Sequence, residues 1–256
     1  MKKTLILIVA LAVPGLPGWP GSAGAQGSKL VQDGKKVYES RCVICHGVQG
    51  DGKGLTGIIH RAQKNGLVIT VYPRDFTAGV FKFRSTPSGY LPTDDDLMRI
   101  VTQGIARSGM PSHTDLSAEE RRAVVEYVKT FSKRWQEEHR YGQPIEIGEV
   151  PEYVGTPASA SRGAKVYEIM QCARCHGETG RGDGPAAATL EDNWGERILP
   201  FDFTSGALKG GSSPDNIYRT FVTGLDGTPM PSYEEAVSEQ DRWDLVSYCI
   251  QLMQGK

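Results

Sequence analysis

Two separate stretches of the chain place apolar residues at the three- and four-residue spacing of an α-helix. Each stretch follows a serine with an acidic residue three positions later, which is typical of a helix N-terminus. No stretch shows the regular alternation of a sheet protein, so the sequence predicts an all-α fold. The starting pairs are Ser117 with Glu120 and Ser238 with Asp241, and the apolar positions are Ala123, Val124, Tyr127, Val128 and Phe131, then Trp243, Val246, Tyr248, Ile250 and Met253.

The two predicted helices close two copies of one sequence unit. A Cys-x-x-Cys-His motif at residues 42–46 recurs at residues 172–176, and matched segments surround both copies. In a chain of 256 residues, such a repeat predicts two similar domains, each with its own core. The matched segments are Gly34–Tyr38 and Gly163–Tyr167, Gly50, Gly52 and Gly54 with Gly180, Gly182 and Gly184, Asp75–Thr77 and Asp202–Thr204, and Met110–Ser112 and Met230–Ser232.

The ends of the chain and the join between the copies have their own signals. Lys2 and Lys3 precede an apolar run and small residues ending at Ala25, the pattern of a cleaved secretory signal. The run is shorter than the roughly 18 residues of a spanning helix, so an uncleaved anchor is the weaker interpretation. Residues 141–161 are rich in Pro, Gly, Ser and Ala, which is typical of a linker. We predict a signal peptide at 1–25, a first domain at 26–140, a linker at 141–161 and a second domain at 162–256. We expect the protein to be exported to the periplasm or another extracytoplasmic space, with no stable membrane span.

Charge is divided unevenly between the halves. Residues 26–140 hold 18 Lys and Arg against 13 Asp and Glu, a net +5, whereas residues 141–256 hold 9 against 17, a net −8. One interpretation is a solvated surface without further meaning, and the other is that the halves dock different partners of opposite charge. Export and the lack of a binding motif argue against nucleic acid as a partner.

The Cys-x-x-Cys-His spacing carries the chemistry. Residues at positions i, i+3 and i+4 of a helix lie on one face, so two sulfurs and an imidazole can meet one flat cofactor. The cysteines can form thioethers to haem vinyl groups and the histidine can bind the iron, whereas a zinc half-site or a thiol redox pair needs features that this chain lacks. Cys249 is left over and is interpreted as a small apolar residue buried in the last helix. The predicted attachment residues are Cys42, Cys45, Cys172 and Cys175, and the predicted iron ligands beside them are His46 and His176.

Each half resembles the class I cytochrome c domain, and the whole resembles a tandem dihaem cytochrome c over nearly all of the mature chain. The resemblance rests on both motifs, on the glycine and tyrosine of each first helix, on Tyr127 and Tyr248 in the last helices and on the two Met-Pro-Ser segments. It implies two class I cytochrome c-like domains with two covalently bound haem c groups. It further implies a second iron ligand from a loop methionine. These ligands are Met110 and Met230, with His113 and the weaker Met98 as alternatives in the first half.

The resemblance also implies a backbone carbonyl that orients each iron-binding histidine. In the family this carbonyl often belongs to a proline, and Pro185 fits that position, whereas the first half has Leu55 there. Phe76 and Phe203 either line the haem pocket or belong to the plain core.

Iron held by His and Met has no open position, which favours electron transfer over chemistry on a small substrate. We expect an electron-transfer protein and not an enzyme, either a free carrier or a subunit of a larger respiratory complex. Its partners would be donor and acceptor redox proteins. The alternative is a dihaem enzyme, a peroxidase or a thiosulfate-oxidising cytochrome, with one open or unusually ligated haem.

Overall fold

The computed structural model describes residues 23–62 and 68–255, so most of the predicted signal peptide lies outside the described residues. The described chain is mainly helical, which confirms the predicted class, and includes one short hairpin. Within these two ranges no helix is both long and apolar enough to cross a membrane. The first half holds α1 (Ala23–Arg41), α2 (Val43–His46), β1 (Ile59–Ala62), β2 (Val68–Val71), α3 (Asp94–Gln103) and α4 (Ala118–Lys129), and the second half holds α5 (Pro157–Ile169), α6 (Ala173–His176), α7 (Pro214–Thr223) and α8 (Glu239–Met253).

Each half is built on a crossing of its first and last long helices, α1 with α4 and α5 with α8. Glycine stands at each crossing. A Cβ on Gly34 would lie 1.9 Å from the carbonyl oxygen of Ala123, and one on Gly163 would lie 2.0 Å from that of Asp244. Only a residue without a side chain allows the two backbones to approach so closely.

The predicted helix starts are present. The Glu120 backbone N–H donates to Ser117 Oγ at 3.2 Å, and Glu120 Oε2 accepts from the Ser117 N–H at 2.8 Å, a complete capping box. In α8 the Asp241 N–H donates to Ser238 Oγ at 3.2 Å. These caps fix where the last helix of each half begins.

The hairpin was not predicted. Strands β1 and β2 pair antiparallel, with Ile59 opposite Val71 and Ala62 opposite Val68. At the corresponding place the second half has a single bridge between Glu191 and Arg197. The longer insertion of the first half therefore adds a two-stranded element to a shared helical plan.

The predicted linker ends later than the observed one. Helix α5 begins at Pro157, with Thr156 as its N-cap, so residues 157–161 are helical. Proline is favoured in the first turn of a helix because its missing N–H is not needed there. The preceding residues pack rather than swing freely, since the Ile145 N–H donates to the Ser85 carbonyl at 2.8 Å and the Gly155 N–H donates to Ser247 Oγ at 3.0 Å.

A buried ion pair joins the halves. The Arg84 side chain is fully buried and its Nη2 lies 2.8 Å from Asp226 Oδ1 and 2.7 Å from the carbonyl oxygen of Thr223. Asp226 also accepts from Ser88 Oγ at 2.7 Å and from the Gly89 N–H at 2.9 Å. Because a buried guanidinium needs a compensating charge, this contact fixes how the two halves sit against each other.

Candidate haem sites

Both Cys-x-x-Cys-His motifs form a single helical turn. In the first, the His46 N–H donates to the carbonyl of Cys42 at 2.9 Å, and in the second the His176 N–H donates to that of Cys172 at 2.9 Å. A buried tyrosine of the preceding helix supports each turn, with Tyr38 Oη donating to the Gly47 carbonyl at 2.8 Å and its counterpart Tyr167 donating to Gly177 at 2.7 Å. The turn directs both sulfurs and the imidazole of each motif into one cavity.

The two histidines are oriented alike. His46 Nδ1 lies 3.1 Å from the Arg74 carbonyl oxygen, and His176 Nδ1 lies 3.1 Å from that of Phe201. Because a carbonyl only accepts, Nδ1 carries the proton and Nε2 keeps the lone pair that can bind a metal. Burial lowers the pKa of both imidazoles, which favours this neutral form.

The identity of these carbonyls corrects the expectation for Pro185. The orienting carbonyls belong to Arg74 and Phe201, each of which follows a proline and precedes the repeated Asp-Phe-Thr segment. Pro185 follows the motif too closely in the chain, on an exposed loop, and Leu55 in its place is 94% exposed. The shared Pro-x-Asp-Phe-Thr pattern was the sequence signal that could have located the acceptors.

Aromatic rings of that same segment lie against the histidines. The Phe76 ring is stacked 4.4 Å from the His46 ring, and the Phe203 ring lies 5.0 Å from the His176 ring. Both phenylalanines are buried and both line the cavity, so they belong to the core and to the site at once. They keep water away from the imidazoles.

The two methionine loops have the same backbone design. The Ile105 N–H donates to the Met110 carbonyl at 3.1 Å, and the Leu225 N–H donates to the Met230 carbonyl at 3.1 Å. Each loop begins with a glycine at positive φ, and a Cβ on Gly104 would lie 2.6 Å from the Met110 carbonyl oxygen. Both methionines line the cavity that holds the motifs.

The alternative candidates for iron ligands differ in their position relative to the cavity. His113 also lines the cavity, and its N–H donates to the Val101 carbonyl at 3.1 Å, so the geometry brings it to the same site as Met110. Met98 is not among the cavity-lining residues. His60 is exposed on the hairpin, where its Nδ1 lies 3.1 Å from Thr70 Oγ1, and His139 is exposed beside Glu137.

One cavity of about 1160 Å³ joins both sites, and it exceeds the range of roughly 300–1,000 Å³ that holds most small ligands. Basic side chains from both halves line it together with the apolar groups. Burial first, then the charges of Arg74 and Lys209, lower the pKa of Lys82 to about 8. Buried cations require anionic partners, and haem carries two propionates, so thiols, imidazoles, apolar walls and cations together fit this cofactor.

The cysteines differ by environment. Burial raises the pKa of the Cys42 and Cys172 thiols to about 11 each, which disfavours the thiolate form of these two groups. Cys249 is fully buried in α8, as expected for a packing residue.

The comparisons with known proteins agree with this architecture. Residues 160–252 match the cytochrome c family, and residues 29–128 match the family described as cytochrome c oxidase, cbb3-type, subunit III. The chain is also similar to a solved chain of the Kuenenia stuttgartiensis reducing HAO-like protein complex. The identity is 41% and the TM-score 0.78, over 87% of this chain and 96% of that chain. No curated protein matches it.

The chain belongs to the cytochrome c family and is a tandem of two cytochrome c domains. This confirms the resemblance recognised from the motifs. Domains of this family hold haem c covalently and transfer electrons, so haem-based electron transfer is the chemistry of the molecule.

Proposed function

We propose that this protein carries one haem c in each half and works as an exported electron-transfer subunit of an HAO-like protein complex. The observation that carries the proposal is that both Cys-x-x-Cys-His motifs and both methionine loops open into one cavity. Cofactors that share a cavity can exchange electrons directly. The solved relative from a reducing HAO-like complex supports the choice of partner.

The residues of each half have distinct roles in this proposal. The four motif cysteines would hold the cofactors as thioethers, and His46 and His176 would bind iron through Nε2. Met110 and Met230 would supply sulfur ligands to the iron. When bound, haem c supplies an iron that gains and loses one electron, and thioether ligation raises its reduction potential.

The residues around the ligands limit structural rearrangement and water access during electron transfer. The Arg74 and Phe201 carbonyls hold the imidazoles in one orientation, so electron transfer needs little rearrangement. Phe76 and Phe203 exclude water from the histidine side. Two protein ligands to each iron would favour electron transfer over chemistry on a small substrate.

Spectroscopy and redox titration of purified holoprotein test the proposal. We expect the absorption band of sulfur bound to ferric iron, with Met110→Ala and Met230→Ala each removing about half of it and His113→Ala removing none. A band that Met110→Ala leaves unchanged and Met230→Ala abolishes, with altered haem spectra in His113→Ala, would transfer the ligand role to His113. High-spin haem with peroxide turnover in the unmodified protein would favour the dihaem enzyme instead.

Export and partner choice have their own measurements. The mature N-terminus should be Gln26, as read by mass spectrometry of protein from the periplasmic fraction. Co-purification of the holoprotein with an HAO-like protein, together with mutual electron exchange, is the expected result for a subunit. Exchange without stable association would indicate a free carrier.

A further inference from the structure

The two methionine loops differ at one matched position, three residues before the methionine. The first half has Arg107 there and the second half has Gly227, and both have a left-handed backbone, with φ angles of 61° and 79°. Glycine adopts this backbone freely, whereas a residue with a side chain is disfavoured there. An arginine held at this position is therefore expected to make contacts that offset the strain.

The Arg107 side chain makes its contacts in the other half, on residues 201–205. Its Nη1 donates to the Ser205 carbonyl oxygen at 2.5 Å and also to Ser205 Oγ. At the other end of the same segment, its Cζ lies 5.5 Å from the centre of the Phe201 ring, within the range of a cation–π contact. One side chain from the first half therefore holds both ends of this segment.

The segment that Arg107 holds supports the histidine of the second site. The Phe201 carbonyl lies 3.1 Å from His176 Nδ1, and the Phe203 ring lies 5.0 Å from the same imidazole. Arg107 therefore connects the Met110 loop of the first half to the histidine support of the second half.

A contact of the same kind runs in the opposite direction. Arg74 supplies the carbonyl that lies 3.1 Å from His46 Nδ1, and its Cζ lies 4.8 Å from the centre of the Trp194 ring of the second half. In this case the support of the first site carries the cation and the second half carries the ring. Each histidine support therefore makes a cation–π contact with the opposite half.

Trp194 is itself held against the Met230 loop. The Asn193 N–H donates to the Gly227 carbonyl oxygen at 3.1 Å, and a Cβ on Gly227 would lie 2.8 Å from Cζ3 of the Trp194 ring. Glycine at this position leaves the space that the ring occupies. The methionine loop of each half is thus connected to the histidine support of the other half.

We infer that these two contacts couple the haem sites, with Arg107 and Trp194 as positioning residues for the histidine of the opposite half. This inference rests on the proposed function, since it concerns the cofactors that the two sites would hold. A displacement of either methionine loop would pass to the histidine of the other site through one side chain. At the second site the charge of Arg107 adds to the effect, because a nearby positive charge favours the reduced iron, which carries one positive charge less.

Resolved redox titrations of the holoprotein test the coupling at the second site, with the two potentials assigned by Met110→Ala and Met230→Ala. In Arg107→Gly, which copies Gly227, we expect about a tenfold fall in the reduction equilibrium constant of the second haem, or 59 mV, and a smaller change at the first. Arg107→Lys should restore part of the loss, because lysine keeps the charge but lacks the planar guanidinium.

NMR spectra of the oxidised holoprotein test the coupling at the first site. In Trp194→Leu we expect the largest shift in the haem methyl resonances of the first haem, because these resonances report the orientation of the His46 ring. Trp194→Phe, which keeps an aromatic ring, should shift them less. Arg242→Gln is the matched control for both experiments, because it removes one cation and its contact with the Tyr218 ring, at 5.5 Å, outside the cavity. It should leave both potentials and both sets of resonances unchanged.

The outcomes separate the coupling from the proposed function. An unchanged second potential in Arg107→Gly, or a larger fall at the first haem, would overturn the coupling and leave the proposed function intact. The same holds if Trp194→Leu shifts mainly the resonances of the second haem, since each residue would then act only within its own half. An unmodified protein that carries no haem would overturn the proposed function, and the coupling with it.

Discussion

The Arg84–Asp226 contact offers a quantitative test of how the halves are joined. In an Arg84→Ala variant, Asp226 loses its buried countercharge and the carbonyl of buried Thr223 loses a donor. Removing one partner of a buried ion pair costs about 3–5 kcal/mol. The Asp226 side chain is 16% exposed and keeps its bonds from Ser88 and Gly89, so we expect a loss near the lower end, about 3 kcal/mol.

Chemical denaturation of the holoprotein, followed by circular dichroism, measures this loss as a fall in the unfolding free energy. Arg140→Ala is the matched control, because Arg140 and Glu137 form an ion pair with both side chains more than a third exposed. It should cost at most about 1 kcal/mol. In a double-mutant cycle, Arg84→Ala and Asp226→Ala should show a coupling free energy of about 2 kcal/mol.

Two results would contradict this reasoning. One is an Arg84→Ala variant that loses less than about 1 kcal/mol, which is the range of an exposed pair. The other is strict additivity of the two substitutions, which would mean that the contact does not bind the halves together.

Two further predictions concern the core of the second half and the cofactor content. Gly163→Ala should destabilise the protein by about 1–3 kcal/mol, because its Cβ would meet the Asp244 carbonyl oxygen at 2.0 Å. Gly27→Ala is the control and should not destabilise it, because Gly27 has open space around it. Equal thermal midpoints for the two variants would contradict the helix crossing. The denatured holoprotein should show one alkylatable thiol, Cys249, and the mass of two added haem groups. In the native protein Cys249 should resist alkylation, because burial raises its pKa. Five reactive thiols after unfolding would exclude covalent attachment.

Much of the local structure could be predicted from the sequence. The capping pairs at Ser117 and Ser238 and the buried position of Cys249 in α8 follow from short-range spacing, and the structure has all of them. Gly34 and Gly163, two of the residues on which the resemblance rests, lie where the helices approach closely. Such features depend on residues within one or two helical turns, or on a crossing that a missing side chain permits.

The carbonyl groups that orient His46 and His176 were not predicted, because they come from distant parts of the chain. The path of the chain brings Arg74 to His46 from 28 residues away and Phe201 to His176 from 25 residues away, while Pro185 lies much closer in sequence. The hairpin in the first half was missed because each of its strands is too short to show an alternating pattern. The repeated Pro-x-Asp-Phe-Thr segment marked the correct place without revealing its role.

By itself, the sequence determined that there are two similar helical halves, each with a haem-attachment motif and a loop methionine, because these depend on residue type and spacing. Only the tertiary structure decided how the halves meet. Arg84 and Asp226 are 142 residues apart, and Arg107 lies 98 residues from Ser205. A total charge count cannot identify such pairs, since a buried contact depends on which side chains folding brings together and removes from water.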